Sequence, residues 1–176
     1  MTFWRKQTAE TKPEPPLMLY NTLGRELQPF EAKNDLVRMY NCGPTVYDVQ
    51  HIGNLSMYVF ADTLRRTLQY RGWAVKQVIN ITDVGHLQND SDDGEDKMTK
   101  ALQREGKALS VENMRELGER YTNIFLDDLR RLNIRTDTIE FPRASAYIAA
   151  QIAMIQTLEE KGYAYPAKDA VYFDTS

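Results

Sequence analysis

The chain has 176 residues, 42% of them hydrophobic, which suffices for one buried core and excludes a chain too polar to fold. Its 22 basic and 25 acidic residues leave a net charge of −3, so no global basic field marks it as a nucleic-acid binder. One cysteine excludes an internal disulfide, no apolar run reaches bilayer length, and the first residues carry neither a secretory nor a transit pattern, so a cytoplasmic protein without membrane association is expected.

Residues 1–16 hold three of the seven prolines and little to bury, and read as a flexible tail. Leu17–Tyr20 reads as a first strand. Leu36–Cys42 reads as a second, ended by Gly43-Pro44, and a loop then runs to Gly53. Met57, Phe60, Leu64 and Leu68 recur at helical spacing and predict the buried face of a helix reaching about Tyr70, with Arg65, Arg66 and Gln69 off that face and Gly72 as its stop. Val75–Ile81 reads as a mostly apolar strand.

Strand, loop, helix and strand within about 45 residues make a βαβ unit with two parallel strands. Such sheets bind ligands outside the carboxyl ends of their strands. The loop Gly43–Gly53 and the pair Thr82-Asp83 both fall there. The acidic run Gln88–Asp96 reads as a solvated loop, because the final glutamate of a calcium loop is missing. Ser110 is a good N-cap, with Leu109 and Met114 spaced as a hydrophobic staple. Val111, Met114, Leu117, Tyr121, Phe125, Leu129 and Leu132 then form one helical stripe. A further helix is predicted over Ser145–Lys161, with Ile148, Ile152, Ile155 and Leu158 inward, and Tyr163–Phe173 reads as the start of a hairpin.

Three segments bear on chemistry. His51-Ile52-Gly53-Asn54 opens the first helix, where free N–H groups and the dipole suit phosphate; His51 could donate to a phosphoryl oxygen or simply cap the helix. Cys42, alone at a strand end, reads as a small core residue or, with partners, as a metal ligand; spacing alone shows no zinc site. Lys97-Met98-Thr99-Lys100 is like the KMSKS loop of class I aminoacyl-tRNA synthetases, but it comes too early in the chain and reads as the start of an exposed helix.

Taken in order, these segments resemble cysteinyl-tRNA synthetase, a class I aminoacyl-tRNA synthetase. The resemblance rests on Tyr20-Asn21-Thr22-Leu23, Met39–Asp48 with its Cys-Gly-Pro-Thr-Val-Tyr-Asp string, His51–Asn54 and Asn80–Asp83. It continues through Leu132-Asn133-Ile134, Pro142-Arg143-Ala144 and Lys161–Tyr165, covering about Tyr20 to the end. It implies an α/β fold: an incomplete Rossmann-like nucleotide-binding domain with a parallel sheet over residues 17–141, and the start of an inserted connective segment over 142–176.

The resemblance further implies a cysteine–tRNA ligase that activates cysteine with ATP and Mg2+ and passes it to tRNA(Cys). Cys42 would be one ligand of a Zn2+ that binds the substrate thiolate, the other ligands lying beyond Ser176. Gly43 and Thr82 would line the cysteine pocket, while His51, Gly53 and Asn54 would bind ATP, with His51 and Asn54 acting in catalysis. Asn54 replaces the histidine that commonly ends the signature, Ser56 an arginine, and residues 84–96 look like an insertion. The chain is expected to be inactive alone. The alternatives are a ligase joining cysteine to an amino sugar in mycothiol synthesis, and a non-catalytic binding module derived from a synthetase.

Overall fold

The computed structural model describes residues 15–84, 97–168 and 170–175. Most of the expected tail and the whole acidic loop therefore lie outside the described residues. The chain divides into two compact units, Met1–Asp35 and Leu36–Ser176.

In the first unit, β1 (Met18–Asn21) pairs antiparallel with β2 (Glu26–Pro29), Tyr20 facing Leu27 in the register. The Asn21 side-chain oxygen accepts the Leu23 N–H at 3.0 Å, and Arg25 takes a positive φ of 54°, which together turn the chain. The sequence predicts β1 but not β2, whose four residues contain only one large apolar side chain, Leu27.

The second unit is built on a parallel sheet ordered β3-β4-β5. Strand β3 (Leu36–Asn41) runs beside β4 (Ala74–Ile79) with Leu36 opposite Ala74 and Asn41 opposite Ile79. The short β5 (Ile139–Glu140) adds to the other edge of β4. Helix α1 (Ile52–Tyr70) is the crossover between β3 and β4, as the βαβ reading requires. Helix α3 (Val111–Arg131) starts at Ser110, whose hydroxyl accepts the Asn113 N–H at 3.1 Å. The expected staple partner Leu109 stays 63% exposed.

Tyr58 from α1 and Phe125 and Leu129 from α3 meet Ile79, Ile81 and Ile139 of the sheet in the main core. Phe125 packs edge-on to Tyr58, with ring centroids 4.9 Å apart. Helix α2 (Lys97–Arg104) forms a second cluster with α3 through Ala101, Leu102 and Leu117, with Tyr47 packed against it. It begins at Lys97 as a helix, as expected, but it is not an exposed one, since Ala101 and Leu102 are buried.

Two expected faces are corrected. On α1 the buried positions are Tyr58, Ala61, Asp62, Arg65 and Leu68, whereas Phe60 is 71% exposed. Asp62 and Arg65 enter because they pair there, Arg65 binding the Asp62 carboxylate and the Thr138 hydroxyl, while the exposed Arg66 donates to the Asn133 carbonyl. Paired charge can be buried where a lone charge cannot. Helix α4 (Ile148–Glu160), preceded by a 3-10 turn at Ala144–Tyr147, buries no residue. Ile148, Ile152 and Ile155 are 48%, 51% and 41% exposed. Its main neighbours are the flanking turn and β6 (Ala164–Pro166), which pairs with β7 (Val171–Phe173) as the expected hairpin. Apolar spacing defines such a face but does not supply a partner to cover it.

Candidate functional site

A cleft of about 540 Å³ opens at the carboxyl end of β3 and the start of α1. Cys42, Gly43, His51, Gly53 and Asn54 all line it, together with Asp48 and Tyr58. Five of the six site residues expected from sequence are thus brought together, in the place where parallel sheets put their ligands.

The sixth, Thr82, sits behind this wall. Its N–H donates to the Pro44 carbonyl at 3.0 Å, and its carbonyl accepts the Val46 N–H at 3.2 Å, so the loop after β3 is laced to the end of β4. Gly43 is forced by the same approach. A Cβ there would lie 1.4 Å from the Asn80 carbonyl oxygen, so only glycine fits this backbone.

His51 is the N-cap of α1: its Nδ1 accepts the Gly53 N–H at 3.0 Å. A ring nitrogen that accepts carries no proton, so the neutral ring holds its proton on Nε2, as an outward donor. Capping and phosphate donation are therefore compatible, each using one nitrogen. Gly53 makes room for the fold-back, because a Cβ there would meet His51 Cε1 at 2.7 Å. The exposed Asn54 side chain makes no hydrogen bond among the described residues, which leaves its amide available. The exposed Ser56 hydroxyl instead donates back along the helix to the Gly53 carbonyl at 2.8 Å.

The sequence assigns no role to Tyr58, Asp48 or Asn80. Burial, and less strongly the Cys42 sulfur, push the Tyr58 phenol above its ordinary range, so it stays an O–H. Asn80 accepts the Gly43 N–H at 2.8 Å and the Tyr40 O–H at 2.9 Å, and donates to Thr82 Oγ1 at 2.9 Å. Its legible signal is position: two residues before Thr82 in an extended run, it shares that residue's side. Beyond it, Asp83 accepts the Ser145 N–H at 2.9 Å and the Ser145 hydroxyl at 2.6 Å, tying the strand end to the turn before α4.

Asp48 fastens the loop to α2 through Arg104 at 2.7 Å. The Arg104 hydrogen bond holds the Asp48 carboxyl below the usual carboxylate range, against a smaller opposing effect of burial. Its stabilisation is therefore full above the unfolded-state value of about 3.9 and is lost as pH falls through the lower folded value. Both side chains are more than a third exposed, 39% for Asp48 and 54% for Arg104, so solvent limits the bridge to less than about 1 kcal/mol. In thermal melts, Asp48→Asn is expected to fall slightly below wild type near neutral pH and to match it in strong acid. A gap that persists in acid would sink the assignment.

Zinc is not accommodated by these residues alone. Among the described residues no group of three or more His, Cys, Asp or Glu side chains converges on a point. Cys42 is exposed and free, a sulfur donor suited to one corner of a tetrahedral site, but one ligand does not hold the ion. No helix among the described residues is long and apolar enough to cross a membrane.

Comparison with known proteins agrees with this geometry. Residues 28–176 match the family model described as tRNA synthetases class I (C) catalytic domain. The chain is 51% identical over 162 residues to cysteine–tRNA ligase 1 of Burkholderia lata, covering 92% of this chain and 33% of that relative. It is 43% identical to the cysteine–tRNA ligase of Zymomonas mobilis, covering 94% of this chain and 31% of the relative. For that of Deinococcus radiodurans the identity is 42%, covering 96% and 33%. The chain thus spans about a third of the length of these curated relatives. With most of its length matched by the family model and a parallel sheet carrying the signature loop at its carboxyl end, the chain belongs to the class I (C) tRNA synthetase catalytic-domain family.

Proposed function

We propose that this chain carries the first half of the active site of a cysteine–tRNA ligase, which activates cysteine with ATP and transfers it to tRNA(Cys). The observation that supports this best is that Cys42 and the His51–Asn54 helix start line one cleft. Activation needs a recognition site for an amino acid beside a donor set for phosphate, and the cleft offers both. The substrate carboxylate oxygen attacks the α-phosphorus of ATP, a P–O bond forms, and the bond to pyrophosphate breaks with its electron pair leaving on the bridging oxygen. The His51 Nε2–H and the Asn54 amide are positioned at the helix start to stabilise the developing oxygen charge. Asn54 serves this role as a donor without needing a proton charge. In the second step a terminal ribose hydroxyl of the tRNA displaces AMP from the acyl carbon.

The reading takes ATP with Mg2+ as substrate and Zn2+ as cofactor, with Cys42 as one ligand and the remaining donors outside the described residues. Gly43 and Thr82 flank the cysteine site. The domain assignment goes with it: residues 17–141 as nucleotide-binding half and 142–176 as the start of the connective insertion. A cytoplasmic location fits such an enzyme.

The test is cysteine-dependent exchange of pyrophosphate into ATP by the complete gene product that carries this segment. Exchange is expected, with His51→Ala lowering kcat by about 100-fold. Absence of exchange in the wild-type product would overturn the reading. The 176-residue chain by itself is expected to show none, since it has one zinc ligand among its described residues.

A further inference from the structure

We infer that a second cavity, beyond the carboxyl ends of β4 and β5, receives the single-stranded end of the acceptor RNA, and that Arg143 binds a phosphate there; this rests on the cysteine–tRNA ligase reading above. The cavity holds about 620 Å³, and Asp83, Val84, Val111, Met114, Gly118 and Arg143 are among the residues lining it. It shares a strand end with the activation cleft. The Thr82 N–H is bonded to the carbonyl of Pro44, which lines that cleft, and the next residue, Asp83, lines the second cavity. Transfer needs this adjacency, because the ribose hydroxyl must reach an acyl carbon held in the first cleft.

The anion site is the Arg143 guanidinium. The backbone around it is clamped to Ile81, whose N–H donates to the Pro142 carbonyl at 2.7 Å and whose carbonyl accepts the Ala144 N–H at 2.9 Å. Other described arginines shielded from solvent have partners: Arg65 is bonded to Asp62 and Thr138, and Arg71 lies 6.0 Å from the centroid of the Trp73 ring. The half-buried Arg143 side chain has neither a hydrogen bond nor an ion pair among the described residues. The carboxylates lining the cavity are engaged elsewhere, Asp83 by the Ser145 N–H and hydroxyl at 2.9 and 2.6 Å, and Glu119 by Arg115 at 3.4 Å. The formal charges of the lining cancel, Arg115 and Arg143 against Asp83 and Glu119, so the cavity selects through the free Arg143 fork and not through a basic field. That fork matches the two free oxygens of a phosphodiester. Val84, Met114 and Gly118 add an apolar wall for the face of an unstacked base, which fits a nucleotide better than a bare inorganic anion.

The test separates the two chemical steps in the complete gene product. Arg143→Gln is expected to raise KM for tRNA(Cys) in charging about tenfold, while cysteine-dependent pyrophosphate exchange, which involves no RNA, keeps kcat and both KM values within about twofold. Salt dependence gives a readout that a merely structural role would not move. The slope of log Kd for tRNA(Cys) against log salt should become shallower by about 0.7 in Arg143→Gln, the share of one phosphate on a single strand. Arg143→Lys keeps a point charge, so it should keep the slope and raise KM only about threefold. Arg143 also borders a hollow of about 400 Å³ beside Tyr147, whereas Val111 lines the larger cavity alone of the two and is 85% exposed. Val111→Glu therefore leaves the core untouched and is expected to raise KM for tRNA(Cys) about threefold, by setting a carboxylate against the RNA backbone.

A wild-type KM for tRNA(Cys) in folded Arg143→Gln, or an unchanged salt slope, would overturn the inference. Where Arg143→Gln does not fold, Val111→Glu decides, and a wild-type KM there overturns it equally. A tenfold rise in KM for ATP or cysteine would assign the cavity to the small substrates and also overturn it. Lack of exchange in the unmutated product is a separate outcome, removing the cysteine-activating reading itself and this role with it.

Discussion

Gly43→Ala is expected to be strongly destabilising. The new Cβ would stand 1.4 Å from the Asn80 carbonyl oxygen and 2.5 Å from its carbon, inside any non-bonded contact. Both partners are backbone, at the ends of two hydrogen-bonded parallel strands, so no side chain can swing aside. The strand ends must part, and the Gly43–Asn80 side-chain bond and the Thr82 pairing with Pro44 and Val46 go with them. Overpacking usually costs about 1–3 kcal/mol and more where relaxation is blocked, so a loss of about 3 kcal/mol or more is expected. That corresponds to a melting point lowered by roughly 6–12 °C for a domain of this size. Thermal unfolding followed by circular dichroism measures it, and a variant melting with wild type would show that the close approach is wrong. Because the same contact shapes the cleft wall, binding of cysteine by the complete gene product should be lost even in the folded fraction.

Asp62→Ala is the second large effect, and it acts far from the cleft. Arg65 is 1% exposed and has two described partners, the Asp62 carboxylate and the Thr138 hydroxyl. Its Nε already lacks a hydrogen-bond partner in the structure, so no spare acceptor stands by. Removing the carboxylate strands a buried guanidinium and also releases Arg66, held by Asp62 at 2.6 Å. Breaking a buried pair from one side costs about 3–5 kcal/mol, which lowers the melting point by roughly 6–20 °C. The double variant Asp62→Ala/Arg65→Met is expected to be more stable than Asp62→Ala alone, because no charge is left uncompensated. A double variant that melts below Asp62→Ala would refute the burial argument.

These two cases separate what a linear chain can and cannot disclose. Gly43 was legible as a turn residue beside a cleft, because a strand, a Gly-Pro stop and a helix in order imply a βαβ unit. The reason for glycine was not legible, since it lies in Asn80, 37 residues away. Arg65 was misplaced for a related reason. Hydropathy periodicity treats an arginine as solvated, and only the arrival of Asp62 and Thr138 around Arg65 lets it be buried. On α4 the error runs the other way: apolar spacing implied an inward face, yet no residue of the helix is buried.

By itself the sequence determined the order β3, α1, β4, α3 and α4, though not β5, together with the parallel pairing of β3 and β4, the Ser110 cap, and the gathering of the signature residues at the carboxyl edge of the sheet. Those features depend on neighbours within a turn, a strand or one crossover, where local patterns carry the physics. Tertiary structure alone decided that Asp48 is anchored by Arg104, and that Asn80 binds both Gly43 and Tyr40 across the strands. Hydrogen bonds between distant residues are set by distance and angle to a fraction of an ångström, and nothing in the order of residues encodes that distance until the sheet and helices have packed.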